Sequence, residues 1–287
     1  MPQPHPATGA FASPDARAAE DAAGLPAYDV FAVKYATRPA QRVANFLGGD
    51  PHDAPMPMDY YVWLIRDAQR IVLVDTGFAQ DMADKRHRTL LCHPAQALER
   101  LGVQAGDVGD IVITHLHNDH AGTLADYPNA RFHLQDSEMA FATGRHMCCG
   151  MLNRAYEPDH VCGMVRLVYG DRVVFHDGDA AIAPGISVHR IGGHTDGLQA
   201  VRVHTTRGWV VLASDASHYY EHFEQDRVFP LVYSVGDVLQ GYRRLKALAA
   251  SPDHVVPGHD PLVMERYPSA GPGLDGIAVR LDVAPRR

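Results

Sequence analysis

Short runs of alternating apolar and polar residues recur along most of the chain, and this period of two predicts a strand-rich fold. Strands are predicted at 28–35, 60–66, 70–75, 110–114, 130–135, 171–176, 185–191, 198–205 and 208–214, with a short strand within 253–260. Most of these runs end in a small or polar residue, so candidate functional residues are expected at the ends of the strands.

The helical pattern is clearest in residues 235–250, where apolar residues recur every three or four positions on one face. This stripe comprises Val235, Val238, Leu239, Tyr242, Leu245 and Leu248. Ser234 with Asp237 three residues later resembles an N-terminal capping box. Shorter helices are predicted at 94–101, which opens with a proline, and at 136–142.

The order of these elements fits a single α+β domain over residues 28–268, because no break in composition divides the chain. Residues 1–27 are rich in Ala, Pro and Asp and are interpreted as a mobile leader. Residues 269–287 are interpreted as a loosely held C-terminal tail. Residues 38–59 and 143–163 carry no clear periodicity and are predicted to be irregular, and long loops of this kind are usually functional or disordered.

Composition narrows the class of protein. Hydrophobic residues make up 46% of the 287 residues and the formal net charge is -8, which favours a globular protein and argues against a nucleic-acid binder. No apolar run approaches the roughly 20 residues that span a bilayer, and no membrane partner is expected. The N-terminus lacks a basic start and an apolar core, so we expect a cytoplasmic protein with its four cysteines as free thiols.

Histidine is over-represented, at 18 residues against the roughly 6 or 7 expected for this length. His115, His117, Asp119 and His120 crowd together directly after the predicted strand 110–114. Imidazole and carboxylate ligands suit divalent first-row metals. One ion cannot easily take all four ligands from so short a segment, so the spacing predicts two adjacent ions.

Three later residues stand in the same setting, each at the end of a predicted strand and beside small residues. They are His194 in IGGHTDG, Asp215 in VVLASDAS and His259 in VVPGHD. Any one of them could be an ordinary hydrogen-bonded side chain. Together they supply the further ligands that two ions need.

These motifs, THLHNDHAG, GGHTDG, SDAS and PGHD, resemble those of the metallo-β-lactamase superfamily, and VDTGF with Asp75 resembles its early strand-turn signature. The resemblance implies an αββα sandwich with metals at one edge between the sheets. It implies one ion held by His115, His117 and His194, a second held by Asp119, His120 and His259, and Asp215 bridging both. The usual ions are two Zn²⁺, although iron, manganese or cobalt also occur in the family.

Within the superfamily the motifs look most like the N-acyl-homoserine lactonase group, which implies a hydrolase for a small lactone or ester and allows a homodimer. A metal-bridging hydroxide would attack the carbonyl, and Asp119 would transfer its proton. Many members carry tyrosine three residues after the bridging aspartate, where this chain has His218. We therefore expect His218 or the adjacent Tyr219 to contact the substrate.

Other functions stay open on the same fold. An oxidoreductase of the persulfide-dioxygenase type would use one iron, held mainly by His115, His117 and Asp215. A thioester hydrolase resembling glyoxalase II shares the first motif, and a non-catalytic binding protein is a further alternative. The substrate wall is predicted to come from 38–59, 143–163 and 218–233, whose Met and aromatic content favours an apolar or flat ligand.

Overall fold

The computed structural model describes residues 24–286. Its strands are β1 (Asp29–Arg38), β2 (Met58–Arg66), β3 (Ile71–Val74), β4 (Thr89–Leu90), β5 (Asp110–Val112), β6 (Arg131–Gln135), β7 (Val173–His176), β8 (Ala180–Ala183), β9 (Ile186–Arg190), β10 (Gln199–Thr205), β11 (Gly208–Ser214), β12 (Val255–Pro257) and β13 (Ala278–Arg280). Its α-helices are α1 (Gln80–Arg86), α2 (Pro94–Glu99), α3 (Asp136–Thr143), α4 (Gly150–Asn153), α5 (Pro158–Tyr169), α6 (Tyr220–Glu224), α7 (Val235–Leu248) and α8 (Leu262–Arg266). Short 3₁₀ turns lie at Arg42–Ala44, Ala105–Asp107, Leu124–Asp126, Arg145–Cys148 and Pro252–His254.

The strands form two sheets. The first has eight strands in the order β13-β1-β2-β3-β5-β6-β7, with the short β4 paired to β1. The second has five strands in the order β12-β11-β10-β9-β8. Parallel pairing is confined to β3-β5-β6-β7 in the first sheet and to β11-β12 in the second.

Alternation along β1 shows how the layers are built. Val30 and Ala32 point into the apolar core that includes the second sheet, whereas Phe31, Val33 and Tyr35 point into a separate core that includes α2 and α5. Each sheet is therefore covered on both faces, one face by the other sheet and the opposite face by helices. The result is the αββα sandwich of the metallo-β-lactamase type that the sequence motifs implied, an α+β fold.

The strand ends that carry the predicted ligands meet at one edge of this sandwich. In the first sheet β3 and β5 are parallel neighbours, so the segments after Val74 and Val112 leave from the same edge. In the second sheet β9 and β11 are both antiparallel to β10, and β12 is parallel to β11. The segments after Arg190, Ser214 and Pro257 therefore also leave together.

The predicted C-terminal tail is wrong as a description of residues 278–281. Ala278–Arg280 form the edge strand β13, antiparallel to β1, and Leu281 is fully buried. The physical reason is that the alternating apolar side chains of this short segment complete a sheet edge and cover apolar core. Almost all of the predicted leader, residues 1–27, lies outside the described residues.

The predicted irregular stretch 143–163 is partly helical. Helix α5 begins at Pro158, and its buried Val161 and Met164 pack in the core that includes α2. Helix α7 confirms its predicted cap, since the Ser234 hydroxyl accepts a hydrogen bond from the Asp237 backbone N–H at 3.3 Å. No helix between residues 24 and 286 is long and apolar enough to cross a membrane.

Candidate metal centre and substrate cavity

Three histidines form what we term the first ligand group: His115, His117 and His194. His117 Nδ1 lies 3.0 Å from both His115 Nε2 and His194 Nε2, so three ring nitrogens converge on one point. His194 reaches this point because Gly193 has a φ of 87°, and a Cβ there would lie 2.6 Å from the Val238 backbone nitrogen. Gly193 therefore allows the backbone before His194 to pack closely against α7.

Asp119, His120 and His259 form the second ligand group. Their ligand atoms lie within 4.8 Å of one another. The two carboxylate oxygens of Asp119 lie 3.7 Å from His120 Nε2 and 4.0 Å from His259 Nε2. The side chain of Asp119 is 18% exposed, more than that of either histidine, so it faces the solvent side of the group.

Asp215 lies between the two ligand groups and offers one oxygen to each. Its Oδ2 is 3.2 Å from His194 Nε2, and its Oδ1 is 3.0 Å from His259 Nε2. This is the arrangement that a bridging carboxylate requires. The structure thus brings together all seven side chains that the sequence predicted as metal ligands.

Some ligand atoms of the cluster are buried without a hydrogen-bond partner within residues 24–286. Asp215 Oδ1 and His120 Nε2 are buried and lack a hydrogen-bond partner among the described residues, although they lie only 3.3 Å apart. Buried polar atoms normally have partners, and a cation bound between these two atoms would satisfy both. With nitrogen and carboxylate donors in two groups, the residues fit two divalent first-row ions.

The pKa shifts of the same residues also favour the binding of a cation. Burial and the neighbouring imidazoles hold the pKa of His115 and His117 well below the usual value, so both offer free lone pairs. Despite burial, the carboxylates of Asp215 and Asp75 hold the pKa of His120 well above its usual value. The second ligand group and its carboxylates therefore attract positive charge, as a proton or as a metal.

Second nitrogens of the ligand imidazoles are held by fixed acceptors. His120 Nδ1 donates to the Asp75 carboxylate at 2.7 Å, His194 Nδ1 to the Leu231 carbonyl at 2.6 Å, and His259 Nδ1 to the Asp59 carbonyl at 2.8 Å. Such contacts set the tautomer and direct Nε2 at the metal position.

Asp75 is held in an unusual backbone conformation. Its φ is 61°, in the left-handed region, and the nearby Ser214 has a φ of 46°. Asp75 accepts hydrogen bonds from the Thr114 backbone N–H at 2.7 Å and from the Thr114 hydroxyl at 2.8 Å, besides the bond from His120. Strained positions persist where surrounding contacts over-determine them, and here they join β3, β5 and β11 beneath the ligands.

Glu138, a residue that sequence reasoning missed, ties the ligand loops together. Its carboxylate accepts from the Leu116 backbone N–H at 2.9 Å, between His115 and His117, and from the Thr195 hydroxyl at 2.6 Å, beside His194. It also accepts from the Tyr156 hydroxyl and the Gly197 N–H. The sequence offered little signal, because Glu138 stands beside Asp136 in the first turn of α3 and looks like an ordinary acidic residue at a helix start.

His218 lies at the ligand cluster, and Tyr219 does not. His218 Nε2 is 3.0 Å from Asp215 Oδ2, and its ring stacks on Phe229 at 3.8 Å between centroids. Burial lowers the pKa of His218 to about 3, which keeps the imidazole neutral. The Tyr219 hydroxyl instead donates to the carbonyls of Met56 and Pro57 and accepts from Asn45, and Tyr219 does not line the cavity, so of the two alternatives the geometry favours His218.

A cavity of about 440 Å³ opens onto the ligand cluster. The predicted wall is confirmed in part, because the cavity is lined by residues of 38–59, 143–163 and 218–233. Its lining is more polar than the sequence indicated and includes Arg38, Arg86, Arg88, Arg154, Asn45 and Asn118. Met147 and Tyr156 line a neighbouring depression instead, and Tyr220 and Phe223 are buried in the core.

With the geometry established, sequence comparison is informative. The profile of the metallo-beta-lactamase superfamily matches residues 56–259, which includes every predicted ligand. The chain belongs to the metallo-β-lactamase superfamily. The seven side chains predicted as ligands all lie within the matched residues.

Similarity to individual proteins is more distant. A probable metallo-hydrolase of Mycobacterium tuberculosis is 28% identical over 210 residues, which cover 64% of this chain and 65% of that protein. The matched part therefore spans slightly less than two thirds of this relative. An N-acyl homoserine lactonase from a Bacillus species is 26% identical over 221 residues, covering 71% of this chain and 82% of the relative.

Solved structures share the fold of this superfamily member. A quorum-quenching N-acyl homoserine lactone lactonase superposes with a TM-score of 0.68 at 21% identity, covering 83% of this chain and 94% of the other. AidC, described as a dizinc quorum-quenching lactonase, gives a TM-score of 0.65 at 18% identity, covering 83% of this chain and 89% of the other. Both likenesses extend over nearly the whole of the solved chains.

Proposed function

We propose that this chain is a metal-dependent hydrolase that opens a small lactone or a related ester. The observation that carries the proposal is the position of Asp215, which offers one carboxylate oxygen to each ligand group at the base of a 440 Å³ cavity. A cavity of this size suits a small organic molecule. Relatives that carry the name N-acyl homoserine lactonase support the choice of bond.

When bound, two divalent ions at this site would supply a water of lowered pKa and positive charge for a carbonyl oxygen. Zinc is the proposed metal, in keeping with the dizinc lactonase of the same fold. Asp119 is placed for proton transfer, because its carboxylate is partly exposed and lies beside His120 and His259. We assign it to take the proton of the attacking water and deliver it to the departing alkoxide oxygen.

Asp119 is held in place from outside the ligand cluster. The Tyr35 hydroxyl donates to its backbone carbonyl at 2.8 Å, and burial keeps the pKa of Tyr35 well above its usual value. The phenol thus stays protonated as a donor. This contact fixes the backbone while leaving the Asp119 carboxylate free to exchange a proton.

The lining of the cavity argues against a covalent intermediate on a hydroxyl, thiol or amine side chain. Among the described residues around it there is no Ser, Thr, Cys or Lys. Its one phenol, Tyr60, has a pKa that burial holds above the usual value, so it is a poor nucleophile. Direct attack by water is therefore the route that the residues support.

The rival oxidoreductase needs one iron and only part of this ligand set. Asp119, His120 and His259 would then have no metal to bind, yet they form a second group of ligand atoms in which both histidines are buried. His218 adds a sixth imidazole to the cluster, beside Asp215 and His194, as an additional ligand or as a contact to the substrate. A small neutral molecule remains the proposed partner, with neither nucleic acid nor membrane, and we retain a homodimer as the proposed assembly.

The test is a substrate panel measured on metal-free protein reconstituted separately with zinc, manganese and iron(II). The panel contains γ- and δ-lactones, N-acyl homoserine lactones, aryl esters, a glutathione thioester and a glutathione persulfide. Faster turnover of lactones than of the other classes supports the proposal. Oxygen consumption with the persulfide, or thioester cleavage as the dominant activity, contradicts it.

A further inference from the structure

Arginines surround the mouth of the cavity although the chain as a whole is acidic, with a formal net charge of -8. Four of them line it: Arg38, Arg86, Arg88 and Arg154. They lie on separate segments, at the end of β1, at and just beyond α1, and after α4. The fold therefore concentrates positive charge at the one cavity that contains the ligand cluster.

Three of these arginines have no acidic partner among residues 24–286; two of them, Arg38 and Arg88, are half-buried, whereas Arg154 is exposed. Arg86 forms an ion pair with Glu157, which Lys85 also contacts. Within residues 24–286, Arg38 and Arg88 form no ion pair with any carboxylate. Arg38 contacts the Met58 sulfur, and its Nε is buried without a partner, whereas Arg88 donates to the Arg86 carbonyl at 2.8 Å.

Tyr60 locates these two guanidinium groups relative to the ligand cluster. The Arg88 guanidinium lies 5.7 Å from the centre of the Tyr60 ring, and Arg38 is the neighbour of the Tyr60 hydroxyl. The same ring also packs edge-on against His259, at 5.0 Å between centroids. Arg38 and Arg88 thus stand one aromatic ring away from the second ligand group.

The remaining cavity wall is different in character. Phe229, Pro230 and Leu231 line it from the segment before α7, and Phe229 stacks on His218. Leu231 also holds His194 of the first ligand group through its carbonyl. The cavity therefore has a cationic end near His259 and an apolar side near His194.

We propose that the natural substrate carries an anionic group, a carboxylate or a phosphate, that binds to Arg38 and Arg88 while the scissile ester lies over the ligand cluster. This inference rests on the proposed hydrolase function and narrows its substrate class. Guanidinium groups pair with carboxylate and phosphate through two parallel hydrogen bonds. A half-buried guanidinium without a carboxylate partner is incompletely satisfied until such an anion arrives.

The test compares three γ-lactones of nearly equal size with the zinc-loaded protein. They are 5-oxotetrahydrofuran-2-carboxylate, its neutral methyl ester, and the phosphate monoester of 5-(hydroxymethyl)oxolan-2-one. We expect the wild type to prefer an anionic lactone over the methyl ester. In Arg38→Gln/Arg88→Gln this ratio of kcat/KM values falls at least about tenfold, mainly through KM, since charged hydrogen bonds are lost.

Arg243→Gln is the matched control, because Arg243 is exposed on α7 and outside the cavity. Its ratio should equal that of the wild type. The larger of the carboxylate and phosphate preferences identifies the anion. A ratio that is the same in the wild type and the double variant overturns the proposal, because a purely structural role for the arginines would lower the turnover of all three lactones equally.

A binding arm separates failure of this inference from failure of the hydrolase proposal. Calorimetry of the zinc-loaded protein compares 2-hydroxyglutarate with 4-hydroxybutyrate, which lacks the second carboxylate. Suppose that no lactone is opened, yet the wild type binds 2-hydroxyglutarate about tenfold more tightly than 4-hydroxybutyrate and the double variant does not. The anion site then stands and the hydrolase proposal fails. Equal preference for the dicarboxylate in the wild type and the double variant rejects the anion site, whether or not lactones are opened.

Discussion

The Asp75 carboxylate accepts a hydrogen bond from His120 Nδ1 at 2.7 Å, with both side chains buried. The same carboxylate accepts two bonds from Thr114, so its oxygens are already committed to donors on every side. His120 is thereby fixed in the tautomer whose Nε2 is free to bind a metal. This contact makes Asp75 a positioning residue for the second ligand group.

Asp75→Asn keeps the size of the side chain and should weaken metal binding at the second ligand group. An amide nitrogen must face either the Thr114 N–H or His120 Nδ1, and in the second orientation it forces the proton onto His120 Nε2. We expect a 10–100-fold loss of affinity for the second zinc, as is typical of such contacts. Competition with a chromophoric chelator measures this, with exposed Asp275→Asn as the control; an unchanged second affinity would contradict the role.

Glu138→Gln tests the tie between the two ligand loops. All four groups around the Glu138 carboxylate are donors, so an amide nitrogen must meet one of them. We expect unfolding free energy to fall by about 1–3 kcal/mol and zinc affinity at the first ligand group to fall as well. Chemical denaturation and zinc titration measure the two effects, with exposed Glu265→Gln as the control. Loss of stability with unaltered zinc affinity would make Glu138 merely structural.

Tyr219→Phe should cost stability and spare activity. The Tyr219 hydroxyl bonds to the carbonyls of Met56 and Pro57 and to the Asn45 amide, and Tyr219 itself does not line the cavity. Its removal should lower the free energy of unfolding by about 1 kcal/mol. We expect kcat/KM for the best lactone to stay within about twofold, whereas His218→Phe should reduce it much further. Equal losses in the two variants would return Tyr219 to the substrate site.

Because His222 is buried, we expect the protein to lose stability as the pH falls. Burial lowers its pKa to about 3, below the usual 6.5, so the unfolded chain binds a proton in this range and the folded chain does not. Stability is therefore lost as pH falls from 6.5 towards 3, by about 1.4 kcal/mol per pH unit. His222→Gln should lose about 1.6 kcal/mol less than the wild type between pH 6.5 and 5.0 in urea unfolding. Exposed His52→Gln should retain the wild-type loss, and a His222→Gln curve parallel to the wild type would contradict this prediction.

Features of this protein that depend on a few neighbouring residues could be predicted from the sequence. Strands and the seven ligands could be located from sequence, because each ligand sits in a few residues beside a strand end. His194 and His259 even carry their own local signs, the glycines that precede them. The αββα arrangement came from motif resemblance rather than from periodicity, which gave only a strand-rich α+β domain.

The remaining features depend on contacts between distant segments. Arg38, Arg88 and Arg154 carry no common local pattern, and only the fold places them around one cavity. Tyr219 was expected at the substrate because it follows Asp215 closely, yet its direction is set by the 38–59 loop. The strand at Ala278–Arg280 did have an alternating signal, but three residues form a strand only because β1 offers an edge.

The central claim is that both ligand groups hold a metal and that hydrolysis needs both. The most direct measurement titrates metal-free protein with zinc while following bound metal and the initial rate on the best lactone of the panel. Activity should reach its maximum at two zinc ions per chain, and His117→Ala and His259→Ala should each bind less zinc and turn over at least 100-fold more slowly. Full activity at one equivalent of metal, or in metal-free His117→Ala, would contradict the account.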